Sequence, residues 1–258
     1  MKRILATAVA AILFASCHHV YYAPNTANAP LLSEKGETRI NALYSAGNSS
    51  EFNGGELQVA TAVSKRAGVM LNFFSAGKTD IVSDFNGDNV EERGNGSYVE
   101  AGAGLFHPFG ADKAWIGEVY GGGGFGSATN EYGFGDRSKV GITKFFIQPS
   151  FGYKSRNFEV AVVPKVSMIR WNVKEKNIRN SRNESVKADV NYITENPAFV
   201  AFEPAVLLRG GGTKFKVQLG VSFCNYSAMG YLEEELHESA TLSFGISMNF
   251  KSYKKQAP

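Results

Sequence analysis

The feature that most constrains this chain is alternation of apolar and polar residues with period two. In the run 214–223, Phe215, Val217, Leu219, Val221 and Phe223 fall on one face; Lys214, Lys216, Gln218, Gly220 and Ser222 fall on the other. Successive side chains of a pleated strand point to opposite faces, so such a run builds a sheet with one apolar side. The run 239–250 behaves likewise, with Leu242, Phe244, Ile246, Met248 and Phe250 opposed by Thr241, Ser243, Gly245, Ser247 and Asn249. Ten runs carry the pattern: 36–46, 54–63, 67–77, 96–106, 113–125, 139–153, 157–171, 196–209, 214–223 and 239–250. No comparable helical periodicity follows the first residues. With 19 Phe, 11 Tyr and 28 Gly among 258 residues, composition agrees with strands and turns, and predicts one large all-β domain.

The apolar face of such strands turns inward in a soluble barrel and outward to lipid in a transmembrane one. Two features favour the second. The runs are long enough to cross a bilayer with tilt. Connections also alternate: 47–53, 78–95, 126–138, 172–195 and 224–238 are long, whereas 64–66, 107–112, 154–156 and 210–213 are short. The polar faces then form a narrow lumen, in which charges need partners. On this register Glu56, Glu100, Glu118, Glu159 and Glu203 face Arg39, Lys144, Lys165, Arg209, Lys214 and Lys216. The expectation is a single antiparallel up-and-down transmembrane β-barrel of about ten strands, with a filled lumen, short periplasmic turns and long extracellular loops. A soluble periplasmic lipocalin-like barrel binding a hydrophobic ligand is the alternative if the faces are reversed.

At the amino end, Lys2 and Arg3 precede an uncharged run from Ile4 to Ala15, too short to span a bilayer and typical of a secretory signal. The run ends Leu13-Phe14-Ala15-Ser16-Cys17, which resembles the lipobox of bacterial lipoproteins. That resemblance implies a signal peptide over 1–16, an acylated Cys17, and a periplasmic tether over 17–35. The barrel follows over 36–250 and a tail over 251–258. Formal net charge is +3, two units of it in the leader, which leaves no electrostatic footprint for nucleic acid. With Cys17 acylated, Cys224 is alone and no disulfide forms within the chain.

The last strand carries a second short motif. Ser243, Gly245, Met248 and Phe250 resemble the carboxy-terminal signal read by the barrel-insertion machinery: polar residue, glycine, apolar residue, aromatic. Together the two ends resemble outer-membrane β-barrel lipoproteins of Bacteroidetes type. The resemblance implies a Gram-negative outer membrane, contact with its lipids and lipopolysaccharide, and periplasmic amino and carboxy termini. It places a lipid on Cys17 in the inner leaflet, and it implies no activity or cofactor.

Other features bear on chemistry. Pro149, Pro164 and Pro204 sit mid-strand on three consecutive strands, as a lateral gate or as bulges that adjust curvature. Gly121 to Gly124 lacks the Lys-Ser/Thr and helix of a phosphate loop and reads as wall glycines making room for neighbours. Asp84, Asn86 and Asp88 alternate as in a calcium loop, but Asn89 and Asn95 stand where Gly and Glu are needed, so metal is not expected. Lys174, Lys176, Arg179, Arg182 and Lys187 make a basic stretch balanced by Glu175, Glu184, Asp189 and Glu195. Omptin proteases, which this chain resembles in strand count, use aspartate pairs and an outer-rim histidine. Here that rim carries His237 after three glutamates, and His107 lies near Ser64 and Ser155 on the opposite rim. Nothing assembles a nucleophile, a base and an orienting group. The reading is therefore non-catalytic: a surface binding, adhesion or envelope-scaffold role with no known extracellular ligand. A membrane hydrolase or acyltransferase using His237 or His107 is the alternative.

Overall fold

A computed structural model describes residues 20–48, 52–83, 89–179, 184–226 and 236–251. Ten antiparallel strands form the wall: β1 Glu37–Gly47, β2 Asn53–Ala62, β3 Ala67–Ser83, β4 Asn89–Phe109 and β5 Trp115–Glu131. β6 Arg137–Lys154, β7 Phe158–Asn177, β8 Ala198–Gly211, β9 Phe215–Phe223 and β10 Ala240–Lys251 complete it. Each strand pairs with its neighbour in sequence, and β10 pairs with β1 from Glu37↔Lys251 to Gly47↔Thr241, closing the ring. Closure leaves no open sheet edge among these strands.

The turns explain the ladder ends. Ser64 Oγ accepts the amides of Arg66 and Ala67 at 3.2 and 2.9 Å, tightening the β2–β3 turn. Ser155 Oγ accepts Phe158 N at 3.1 Å in the β6–β7 turn. Gly110, at φ +87°, opens the β4–β5 turn, where a side chain would be strained. The connections 63–66, 110–114, 155–157 and 212–214 make one short-turn rim.

At the other rim several expected loops are strand. β3 to β7 extend past the expected ends, so the connection expected over 78–95 is largely a hairpin. Residues 172–195, expected as an irregular basic loop, instead hold the end of β7 and a helix, α1 Glu184–Glu195. Val186, Val190 and Ile193 of α1 are buried, a spacing of four and three residues that places them on one helical face. Their signal is present in the sequence but spans barely three turns.

Sidedness is the reverse of a soluble barrel. Phe215 and Val217 are 59% and 61% exposed, while Lys216 and Gln218 between them are buried. The same inversion runs around the wall: Leu71, Phe145, Val162, Leu208 and Phe244 face out, and Asn72, Lys144, Ala161, Arg209 and Ser243 face in. The lipocalin-like alternative, which needs an apolar lumen for a hydrophobic ligand, does not fit these strands.

The glycine run is wall. A Cβ on Gly122 would lie 2.1 Å from the Ala101 carbonyl oxygen, and one on Gly124 2.9 Å from Glu100 Cγ. Lacking side chains, β5 approaches β4 closely and leaves the lumen to Phe146 and Glu100.

The three prolines form one row across β6, β7 and β8. β6 and β7 pair at Ile147↔Val166 and again at Phe151↔Val162 in unchanged register, with Pro149 and Pro164 facing each other in the gap. Pro164 pairs with Pro204. Beyond Pro204, β9 resumes against β8 in its original register through a two-residue extension, Asn225–Tyr226. Register-shifting bulges are therefore not what these prolines make; the shift on β6 lies at Lys139/Val140. Proline lacks the N–H of the ladder, so hydrogen bonds are lost without an inserted residue.

Candidate functional site

Residues 20–35, expected as a solvated tether, are not one over most of their length. Tyr21 through Leu32 are buried without exception, inside the barrel. The segment crosses from one rim to the other, with a left-handed residue, Leu31 at φ +49°, near its short-turn end. At the long-loop rim, the Tyr21 and Tyr22 amides donate to the Leu236 carbonyl at 2.9 and 3.3 Å. Midway, Gln58 Nε2 donates to the Thr26 carbonyl at 2.7 Å, and Gln148 Nε2 to that of Asn28 at 2.9 Å. Arg209 Nη2 donates to the Ala29 carbonyl at 2.8 Å. At the short-turn rim, Lys154 Nζ donates to the Leu31 carbonyl at 2.8 Å, and Ser33 N to Glu37 at 2.7 Å. A buried strand with no neighbouring strand must satisfy its backbone from side chains, and the wall supplies them. The lumen is thus plugged by the chain that leads into β1.

From the described wall strands six acids, Glu37, Glu56, Glu100, Glu118, Glu159 and Glu203, and six bases, Arg39, Lys144, Lys154, Lys165, Arg209 and Lys216, surround this plug, and Glu238 is buried at its long-loop end, its amide donating to the Tyr22 carbonyl at 3.0 Å. Ten of these were expected from alternation. Lys214 was expected too but is exposed, because 212–214 is the turn and β9 begins at Phe215. Glu37 and Lys154 join the set; both lie at strand ends, Glu37 in phase with Arg39 and Lys154 in phase with Lys144 one residue past the expected run.

The middle of the lumen is a self-paired quartet. Lys144 Nζ lies 3.0 Å from Glu100 and 3.2 Å from Glu203; Lys165 Nζ lies 3.4 Å from Glu100 and 3.9 Å from Glu203. Tyr22 enters it from the plug, accepting from Lys144 at 2.6 Å and donating to Glu203. Asn25 Nδ2 donates to Glu100 at 2.9 Å. Toward the short-turn rim, Glu159 gathers Arg39, Arg209 at 3.2 Å and Lys216 at 3.4 Å.

Glu56 and Glu118 are different. Among the described residues neither has a cation within ion-pair distance. Glu56 instead accepts the Thr26 amide at 3.1 Å and its hydroxyl at 2.8 Å, and Ser45 Oγ. Glu118 accepts the Leu32 amide at 2.9 Å and Ser150 Oγ at 3.2 Å. A buried carboxylate without a cation is costly unless it is fully hydrogen-bonded, and here the plug backbone supplies part of that bonding.

The long-loop mouth is roofed. Val190 and Ile193 of α1 join Tyr21, Tyr22, Ile169, Trp171, Cys224 and Leu236 in one buried cluster. Tyr21 Oη and Tyr132 Oη lie 2.6 Å apart, and Tyr132 reaches Ser138 Oγ at 2.6 Å. Burial pushes the Tyr132 phenol well above its ordinary range, so it stays neutral. His237 does not stand free on the rim: it bridges to Tyr22, and its Nε2 lies 3.2 Å from the Cys224 carbonyl oxygen. A small apolar pocket of about 50 Å³ opens beside the plug, lined by Tyr22, Phe52, Phe74 and Tyr98 with Lys78, Asp80 and Arg93.

The remaining expectations fall as follows. His107 is exposed on β4 opposite Gly117, and Ser64 and Ser155 are occupied in turns. Ser243, Gly245, Met248 and Phe250 lie on β10, the closing strand, with Ser243 inward and Phe250 outward. Lys174 and Lys176 are exposed, Lys187 pairs with Glu184 at 3.5 Å, and Arg182 lies outside the described residues. So do Cys17 and the calcium candidates Asp84, Asn86 and Asp88. Among the described residues no cluster of His, Cys, Asp or Glu could hold a metal ion. The plug was missed because it has no period, yet it carried a signal: Val20 to Ser33 contains no charge and is rich in Asn, Ala and Pro. No protein-family model matches the chain, and no curated protein matches it in sequence, so its site is read from geometry alone.

Proposed function

We propose that the protein is an integral outer-membrane barrel, plugged by its own amino-terminal segment, non-conducting and non-catalytic. It acts through its long-loop face in surface binding or adhesion, or as an envelope scaffold. The observation that carries this reading is the inverted sidedness: an outward apolar belt around a lumen of six acids and six bases. Such a belt in water is an aggregation surface, whereas in hydrocarbon it is the low-energy face. Trp115 stacks on Phe151 at 5.2 Å, and Phe109 and Tyr153 contact the same pair near the short-turn rim, as aromatic residues do at a membrane interface.

The test is heat-modifiability of Cys17→Ala protein expressed in a Gram-negative host. Unboiled protein from the membrane fraction runs fast on a denaturing gel and slows on boiling. Soluble Cys17→Ala protein with no shift would overturn the reading. In planar bilayers, the intact protein gives no conductance steps.

A further inference from the structure

We propose that the chain preceding Val20, with Cys17 in it, is delivered to the long-loop side of the barrel, so that the two ends of the protein lie on opposite faces of the membrane. This rests on the membrane reading above and reverses the placement that strand parity alone implies. With an even number of strands, β1 begins and β10 ends at the same rim, as Glu37↔Lys251 shows. The plug adds one further crossing before β1. Its Ser33 end sits by Glu37 at the short-turn rim, and its Tyr21 end is fixed at the long-loop rim by Leu236 and Tyr132.

Covalent reach makes the placement firm. From Val20 to Cys17 is three residues, which span about 10 Å when fully extended. From Tyr22 to Leu31 the chain covers about 30 Å at the extended rise, the thickness of a bilayer core. A Cys17 tied to Val20 therefore cannot return to the short-turn rim, and the lumen it would have to pass is already filled. The crossing is also built in rather than incidental. Glu56 and Glu118 take hydrogen bonds from plug amides, and Arg209, Gln58 and Gln148 spend theirs on plug carbonyls. An acyl anchor on Cys17 then enters the leaflet beside the long loops, and the barrel displays its lipidated end on the same face as α1.

The experiment uses the full chain in a Gram-negative host, with an epitope tag between His19 and Val20 in one variant and after Pro258 in another. Antibody labelling of intact cells is compared with labelling after outer-membrane permeabilisation. The expected result is amino-terminal labelling on intact cells and carboxy-terminal labelling only after permeabilisation. Both tags behaving alike, with a heat-modifiable band retained, overturns the threading and leaves the barrel standing. Loss of that band in the untagged protein means the membrane reading itself fails. A second measurement covers a tag that disturbs folding. Asn28→Cys in a Cys17→Ala, Cys224→Ser background places a single thiol on a plug residue buried in the lumen beside Asn72 and Gln148. That thiol should resist a maleimide in the unboiled, folded barrel and react after boiling; full reactivity in the folded barrel overturns the proposal.

Discussion

The centre of the lumen and its two flanking carboxylates solve the same problem by different means. At the centre, Glu100 and Glu203 are matched by Lys144 and Lys165, all four supplied by the wall. Glu56 and Glu118 also belong to the wall, but part of their bonding comes from the Thr26 and Leu32 amides of the plug. The first arrangement is internally neutral with the plug or without it. The second leaves two negative charges in need of donors whenever the plug is absent. The difference teaches that this barrel and its plug are one folding unit, since the wall's charge pattern anticipates a segment outside it.

Replacing residues 20–33 by a Gly/Ser linker should have the largest effect. It removes the Tyr22, Asn25 and Thr26 side chains that bond to Lys144, Glu100 and Glu56 and leaves a flexible chain to be ordered inside the lumen, so it should abolish the heat-modifiable band. Adding Glu56→Gln and Glu118→Gln to that variant should restore part of the band; if it does not, the carboxylates are not what ties plug to wall.

Next comes Lys144→Met, which leaves Glu100 and Glu203 sharing Lys165 and removes the donor to Tyr22. Urea unfolding of the folded band should register a loss of about 3–5 kcal/mol, and adding Glu203→Gln should recover much of it. Lack of recovery would show that the quartet is not held by charge balance.

Smaller effects sharpen the contrast. Thr26→Val removes the hydroxyl donated to Glu56 while keeping shape and backbone, and should cost about 1.5–3 kcal/mol as a hydrogen bond to a charged group. The same measurement on Lys214→Ala should show a change within about 0.5 kcal/mol, because that side chain is exposed in a turn. Lys216→Ala, two residues on, removes a cation from Glu159 and should cost several times more. Equal effects at 214 and 216 would mean the register of β9 is wrong.

Much of the wall was legible because its rule is local. Phe215, Val217 and Leu219 announce one face of β9 whatever the rest of the chain does, and Lys216 and Gln218 announce the other. Only strand bounds were hard to read: Lys214 shares the phase of Lys216 but lies in the turn, and Lys154 shares that of Lys144 one residue past the expected run. Val186, Val190 and Ile193 carried a helical signal of 12 residues, too short to stand out beside strands of up to 21.

The plug was illegible for a physical reason. A strand with wall on every side has no apolar face and no polar face, so Tyr22, Asn25, Thr26 and Asn28 follow no period. Its lack of charge makes sense only once the wall strands are seen to supply six acids and six bases around it. The proline row shows the same divide: each of Pro149, Pro164 and Pro204 is visible in its own strand, but that they line up is a fact of register.

By itself, then, the sequence determined ten alternating strands, their up-and-down order and the charges of the polar face, because these follow from side-chain period and turn chemistry within each hairpin. The tertiary structure alone decided what fills the lumen, which carboxylates depend on it, and at which rim the chain enters. Those depend on contacts between residues distant in the chain, such as Thr26 with Glu56, Tyr22 with Lys144 and Ala29 with Arg209, which no local pattern encodes.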